Sequence, residues 1–247
     1  MTNRPTNKAV VGRVTNSYES KLSVGAPVRV ALPSSPNLNL SRVEVITKYG
    51  AIFTSQFDGS KSVIYESSAP EDNFSNLSSI SGEIIQLQFP SQRHGFALVL
   101  NQNAGATNTT TLYSSSDGGK NWGIVATGSI SQIHFFDPTH GVALTSVPST
   151  AANQPRNYAI ATTTNGGTIW VVTQVLGVVD SAIPSLNSSS FSFPSSSVGF
   201  LAMATEPSAG SEGKMLYVTQ DGGESWKVVA DNNPSTNGTG GYHLPDT

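Results

Sequence analysis

The stretch LYSSSDGGKNWGIV, from Leu112 to Val125, decides how this chain is read. Leu112 and Tyr113 lead in, Ser115, Asp117, Gly118 and Gly119 make a corner, and Trp122 opens the way out, so the segment reads as strand, tight turn, strand. The pattern Ser-x-Asp-x-Gly-x-x-Trp returns in LYVTQDGGESWKVV with Thr219, Asp221, Gly223 and Trp226, and in ATTTNGGTIWVVT with Thr163, Asn165, Gly167 and Trp170. All 3 tryptophans of the chain hold the last position of the pattern, which makes it a repeat rather than a coincidence.

Turn chemistry explains the spacing. A short Asp or Asn side chain accepts hydrogen bonds from backbone amides just ahead of it, and the Gly pair supplies the positive φ that such a corner needs. A hydroxyl two residues before the Asp joins the same network, and the Trp buries a large ring with one N–H to satisfy. Every part of that account is structural.

A second signal repeats with the first. The segments IIQLQFPSQRHGFAL, ISQIHFFDPTHGVAL and SSFSFPSSSVGFLA align on Gly95, Gly141 and Gly199, with Phe89, Phe135 and Phe193 six residues earlier and Leu87, Ile133 and Phe191 two before those. This is period-two alternation, a strand with one face in a core, then a turn and a second strand opening on Gly. The glycines are 46 and 58 residues apart and the box residues 48 and 56, so both signals belong to one unit that carries an insertion in its last copy. Earlier runs, VRVAL at 28–32, VEVIT at 43–47, AIFTS at 51–55 and SVIYES at 62–67, also read as strands, and Asp58, Gly59, Ser60 and Val63 overlay the box as a degenerate first copy. Units of about 45–60 residues with four short strands and no helical periodicity predict the blades of a β-propeller.

These residues resemble the Asp-box, or BNR, repeat of sialidases, sortilin-like receptors and photosystem II stability and assembly factors. The resemblance implies an all-β propeller of four-stranded antiparallel blades, about four to five of them, with the boxes between third and fourth strands. The expected organisation is a tail or closing strand over 1–23, repeats over 24–230 (approximately 24–68, 83–128, 129–175 and 188–230), and a second tail or closing strand over 231–247. The repeat serves enzymes, receptors and assembly factors alike, so it specifies architecture more than activity.

Composition narrows the function classes. A net charge of −3 with 12% charged residues leaves no basic field for nucleic acid. With no cysteine, disulfides, thiolate metal sites and a Cys nucleophile are excluded. No apolar run reaches the roughly 20 residues of a membrane span. The Ser, Thr, Asn and Gly richness leans towards an exported, extracytoplasmic bacterial protein, although MTNRPTNKAVVG lacks the apolar core of a signal peptide.

The sharpest functional reading is a sialidase-like glycosidase, which needs an arginine cluster, a Tyr activated by a Glu, and an Asp acid/base. Arginines are Arg4, Arg13, Arg29, Arg42, Arg93 and Arg156, none in the Arg-Ile-Pro setting of that family and none after Arg156. No HExxH, GxSxG, Walker or EF-hand pattern occurs, and no cofactor or metal site is expected. His94 and His140 recur just before the turn glycines, which points to a fold role. Gln86, Gln88, Gln132 and His134 alternate with core positions on the expected innermost strands and are the best guess for a channel-facing ligand surface. The sequence therefore leads to the expectation of a noncatalytic scaffold or binding propeller for a protein or ligand, with a carbohydrate-active (sialidase-like glycoside hydrolase) or glycan-binding propeller as the alternative. The partner, protein or carbohydrate, is not identified by sequence.

Overall fold

The computed structural model describes residues 40–46, 51–67, 74–101, 109–147, 157–178, 189–204 and 214–231. The expected tails or closing strands over 1–23 and 231–247 lie outside them, apart from Asp231. Sixteen strands form four antiparallel sheets of four. The first holds β1 (Leu40–Ile46), β2 (Ala51–Phe57), β3 (Lys61–Ser67) and β4 (Ser75–Ser81). The second holds β5 (Glu83–Gln88), β6 (Gly95–Asn101), β7 (Thr109–Ser115) and β8 (Gly123–Gly128). The third holds β9 (Ile130–Phe135), β10 (Gly141–Val147), β11 (Asn157–Thr163) and β12 (Val171–Val178). The fourth holds β13 (Ser189–Ser192), β14 (Gly199–Ala204), β15 (Lys214–Thr219) and β16 (Lys227–Asp231).

Strand order within each sheet follows the chain, and the first strands β1, β5, β9 and β13 lie beside one another in turn. That is the blade arrangement of a propeller, with β4, β8, β12 and β16 at the outer rim. The boxes lie between third and fourth strands, at 115–122, 163–170 and 219–226, as expected.

The cores lie between blades. Phe53, Ile64 and Ile80 of the first blade pack with Ile84, Leu87, Phe89 and Val99 of the second. Phe96, Leu98 and Leu112 pack with Ile130, Ile133 and Phe135 of the third. Val142, Leu144, Tyr158 and Ile160 pack with Phe193, Leu201, Tyr217 and Trp226 of the fourth. One aromatic device recurs at each seam. Phe89 stacks on Phe53 with centroids 3.8 Å apart and meets Trp122 edge-on at 5.9 Å. Phe135 stacks on Phe96 at 3.5 Å and meets Trp170 at 5.8 Å, and Phe193 meets Trp226 at 5.9 Å.

The glycine six residues after each Phe makes room for this ring. A Cβ on Gly95 would stand 2.6 Å from Phe89, on Gly141 2.7 Å from Phe135, and on Gly199 2.2 Å from Phe193. Phe200, which follows Gly199 as Phe96 follows Gly95, remains 37% exposed, with no later blade among the described residues to cover it.

The first blade corrects one expectation. Asp58 closes the turn between β2 and β3, where Oδ1 accepts from the N–H groups of Ser60 and Lys61, so it is not the counterpart of the boxes. Register identifies the true counterpart: Ser67 pairs with Ile52 as Ser115 pairs with Gly95, Thr163 with Gly141 and Thr219 with Gly199. Ser67 and Phe74 are seven apart, as Ser115 and Trp122 are, so Phe74 stands in the place of the tryptophan.

The seam geometry predicts a contrast between two glycines of the second blade. Gly95→Ala drives a methyl into Phe89 and Trp122 and is expected to lower stability by about 1–3 kcal/mol. Gly123→Ala, with nothing within 4 Å of the new Cβ, is expected to leave it unchanged or slightly raised. Thermal and urea unfolding of the two variants check this.

Candidate functional site

The corners are built alike. The hydroxyl of Ser115 donates to Asp117 Oδ1 at 2.8 Å and accepts from the Gly119 N–H at 2.9 Å. Thr163 does the same with Asn165 and Gly167, and Thr219 with Asp221 and Gly223. Both glycines of each pair have positive φ, 78° and 86° at Gly118 and Gly119. The first glycine donates its N–H to the turn between the first two strands of its own blade: Gly118 to Arg93, Gly166 to Thr139 and Gly222 to Ser197. The second presses on the preceding blade, so that a Cβ would meet Leu77 at 3.2 Å from Gly119, Leu112 at 2.6 Å from Gly167 and Val142 at 2.6 Å from Gly223.

Hydrogen bonds join the blades at the same corners. Trp122 Nε1 donates to Gly119 O and to Ser78 Oγ of the first blade, and Trp226 Nε1 donates to Gly223 O. Gln174 of the third blade clamps Trp226, with Oε1 accepting its N–H at 2.8 Å and Nε2 donating to its carbonyl at 3.1 Å. The box side chains Ser115, Asp117, Gly119, Trp122, Thr163, Asn165, Gly167, Trp170, Thr219, Asp221, Gly223 and Trp226 thus occupy the corners that hold each blade to its neighbours.

The proposed channel surface is placed otherwise. Gln86 grips Ile133 of the next blade through both its amide atoms, at 2.6 and 2.9 Å, and Gln88 grips Phe135 likewise at 3.1 and 2.8 Å. Gln132 accepts from the Phe191 N–H at 3.1 Å. His134 stacks on Phe193 with centroids 4.6 Å apart and meets Phe136 edge-on. These four side chains join blades, His134 by ring stacking and the three glutamines because their amides satisfy backbone groups of the neighbouring inner strand. Alternation located the face correctly, but a polar side chain on it carries no mark that tells a ligand from the next strand. Gln174 has the same function from the outer strand β12, where nothing in its sequence context marks it.

What the corners leave open is a cleft of about 560 Å³ between the second and third blades. Trp122 and Val125 give it an apolar wall with the buried Phe96 behind them, and His94 and Pro138 line it from the two inner turns. Ser114, Ser116, Asp117, Asn121, Asn165 and Thr168 supply polar groups. His94 is fixed by Ser91, whose Oγ lies 3.0 Å from Nδ1, and the corresponding His140 is held by Asp137 at 2.8 Å.

The carboxylates are engaged rather than poised. Asp117 Oδ1 also accepts from the N–H groups of Lys120 and Asn121, and Oδ2 accepts from Asn121 Nδ2 at 2.7 Å. The Asn121 side-chain and backbone bonds, with that from Ser115, hold its pKa far below the ordinary carboxylate range. Desolvation raises that of Asp221, but the side-chain and backbone bonds of Ser225 and the Thr219 hydroxyl outweigh it and bring it to about 2. The third corner differs. Asn165 Oδ1 accepts from Thr163 and from the Ile169 N–H, while Nδ2, where Asp117 has its second oxygen, has no partner among the described residues. Ile169, at the position of Asn121 and Ser225, has no side-chain donor or acceptor to offer it.

No protein-family model matches the sequence, and no curated protein does. Solved structures resemble the fold. An α-L-arabinofuranosidase from Fusarium graminearum in complex with an iminosugar inhibitor aligns at 14% identity over 80% of this chain and 67% of that one, with a TM-score of 0.49. The catalytic domain of the GH62 α-L-arabinofuranosidase of Coprinopsis cinerea aligns at 13% identity over 83% and 73%, with a TM-score of 0.42. The GH74 enzyme of Niastella koreensis aligns at 14% identity over 77% of this chain, which spans 38% of that enzyme, with a TM-score of 0.41. These proteins are carbohydrate-active enzymes, a finding that runs against the expectation of a noncatalytic scaffold. At this identity the likeness is one of fold, so any sugar chemistry of this chain has to be argued from its own cleft.

Two outcomes follow for the fold side of the site. Ser115→Ala removes the hydroxyl that satisfies the buried Gly119 N–H and is expected to cost about 1–3 kcal/mol in urea unfolding, whereas Ser115→Thr is tolerated, as Thr163 and Thr219 show. Burial lowers the pKa of His134 from 6.5 to about 4. As pH falls below 6.5 the unfolded chain takes up a proton that the folded chain refuses until about 4, so stability is full above 6.5 and declines through that window by roughly 3 kcal/mol. His134→Phe is expected to remove that share of the acid sensitivity, measured as the difference in unfolding free energy between pH 7 and pH 4.

Proposed function

We propose that this chain is a carbohydrate-active propeller of Asp-box blades that captures glycan in the cleft between its second and third blades. One observation carries the reading. An indole and an imidazole share a concave surface with hydroxyl and amide groups drawn from two successive corners. Sugar rings present apolar C–H faces and a rim of hydroxyls, and such mixed walls match both, within the size range of small-molecule sites.

The charge of the cleft narrows the class. Among the described residues that line it, Asp117 is the one carboxylate and there is no Lys or Arg. An acidic sugar would meet a fixed negative charge with no cation to grip its carboxylate, so the reading is a neutral glycan, rather than the sialoside of the sialidase comparison. Glycoside hydrolysis generally uses two carboxyl groups flanking the scissile bond. With Asp117 committed to its corner, the cleft supports capture of the glycan. An extracytoplasmic location fits this reading, since polymeric glycans are met outside the cytoplasm.

Binding of neutral oligosaccharides, arabinan and xyloglucan fragments first, is measured by titration calorimetry and on a glycan array beside sialosides and uronides. Saturable binding of a neutral glycan that Ser116→Trp abolishes without changing the melting temperature is the expected result, since Ser116 is exposed at the cleft wall. A preference for acidic glycans, or binding that Ser116→Trp leaves intact, would overturn the assignment.

A further inference from the structure

The three corners are not fastened to their neighbours equally. Trp122 and Trp226 both donate their indole N–H, the first to Gly119 O and Ser78 Oγ and the second to Gly223 O, whereas the buried Nε1 of Trp170 has no partner among the described residues. Strand register explains the difference. Ser78 pairs with Ile64, Ala126 with Leu112 and Gln174 with Ile160, and those partners stand three residues before Ser67, Ser115 and Thr163. One place on the outer strand therefore holds Ser78 and Gln174, which bond the tryptophan of the next blade, and Ala126, which has nothing to offer it. Thr173 also reaches across, with Oγ1 3.3 Å from Gly223 O, and the residue in its place beside Ala126 is Val125.

The inner end of the same seam is the opposite. Gln86 and Gln88 hold Ile133 and Phe135 there through both atoms of each amide. The joint between the second and third blades is thus pinned at its inner strands, while Val125, Ala126 and Trp170 meet it from outside only as apolar groups packed on the shared core. The third corner stays closed on itself through Thr163, and its added bond, from the Thr168 hydroxyl to Asn165 O at 3.2 Å, is internal too. Gly166 ties the corner to Thr139 of its own blade. The cleft opens on this joint, with Ser116, Asn121 and Trp122 on one side and Pro138, Asn165 and Thr168 on the other.

We propose that the third corner, with the turn at Pro138 and Thr139 that Gly166 ties to it, is a movable wall of the cleft, hinged on the inner glutamine clamps and closing on the ligand. A joint fixed at one end and without hydrogen bonds at the other opens at the free end first. Apolar packing is non-directional and yields by small sliding, whereas a hydrogen bond holds one geometry. The indole N–H of Trp170 adds to this, because a donor buried without an acceptor has lost its hydration and regains it when the joint opens. Elements that move around ligands are drawn from the least fastened parts of a fold. A ligand that touches both walls supplies the cross-seam contacts that Ala126 does not, so binding and closure favour each other. That this ligand is a neutral glycan rests on the function proposed for the cleft, whereas the motion of the wall is independent of it.

The chain has no cysteine, so two introduced ones take spin labels without interference. Ile124→Cys with Ile169→Cys, both exposed and outside the cleft lining, sets labels across this joint. Val172→Cys with Glu224→Cys, also exposed, sets them across the joint that Gln174 clamps. Double electron–electron resonance on the full chain is expected to give a distance distribution at least about twofold broader for the first pair. Ala126→Ser, which puts a hydroxyl where Ser78 has one, should narrow that distribution to the width of the second pair and raise the melting temperature. Saturation with arabinan or xyloglucan oligosaccharides should narrow it likewise without that substitution. Equal widths for the two pairs, or a broad distribution that Ala126→Ser leaves broad, would overturn the movable wall, as would an oligosaccharide that binds without narrowing it. If no neutral sugar binds while Ala126→Ser still narrows the distribution, the wall stands and the glycan reading fails.

Discussion

The structure depends on a phenyl ring laid over a glycine. At each seam where it occurs, one phenylalanine at the end of an inner strand fills the space that the following strand leaves by lacking a Cβ, and the corner tryptophan meets it edge-on. The opposite face of that ring rests on the preceding blade, on Phe53 or Phe96, while beneath Phe193 the contacts come from His134 and Phe136. A blade of four short strands buries too little by itself to be stable, and this ring is where two blades become one core.

The corners make that contact rigid. A hydroxyl, a carboxylate or amide and two left-handed glycines close the turn, and the second glycine lies so near the preceding blade that a side chain there would collide with it. Turn closure and blade docking are therefore one event. The inner glutamines act in the same direction: Gln86, Gln88 and Gln132 reach across to backbone groups of the next first strand, which would otherwise face a seam with no ladder of their own. The aspartates are consumed in the same network, and this is why their ionised form is favoured without their being reactive.

How legible this was depends on which residue carried each signal. The blades and the position of the corners could be read because glycine, tryptophan and a six-residue Phe-to-Gly spacing are rare enough to be recognised at a distance. The first blade could not be aligned by those marks. It has Ile52 where the others have glycine and Phe74 in place of tryptophan, and its conspicuous Asp58-Gly59 turn belongs to a different hairpin. The cleft was illegible for a further reason. Its walls come from two blades and join Ser116 and Asn121 to Pro138 and Asn165, so no single stretch of sequence contains it. Gln86 and His134 were noticed because they alternate with apolar residues, but alternation reports only which way a side chain points, and what stands there is decided by the neighbouring blade.

The third corner shows where a structural motif can acquire a binding role. In the second and fourth corners the outer oxygen of the aspartate is met by a side chain four residues on, Asn121 or Ser225. In the third, two substitutions act together. Asn165 keeps the inward oxygen that the turn requires but offers N–H donors where the second oxygen would be, and Ile169 withdraws the group that would have met it. The fold is retained because the hydroxyl of Thr163 and the two glycines still close the turn. The free amide borders the cleft opposite the indole of Trp122 and the amide of Asn121, so hydrogen-bonding capacity that the other corners spend on themselves is turned here towards whatever the cleft holds. Neutral hydroxyls, which both donate and accept, suit such a mixture of amide and hydroxyl groups better than a carboxylate does.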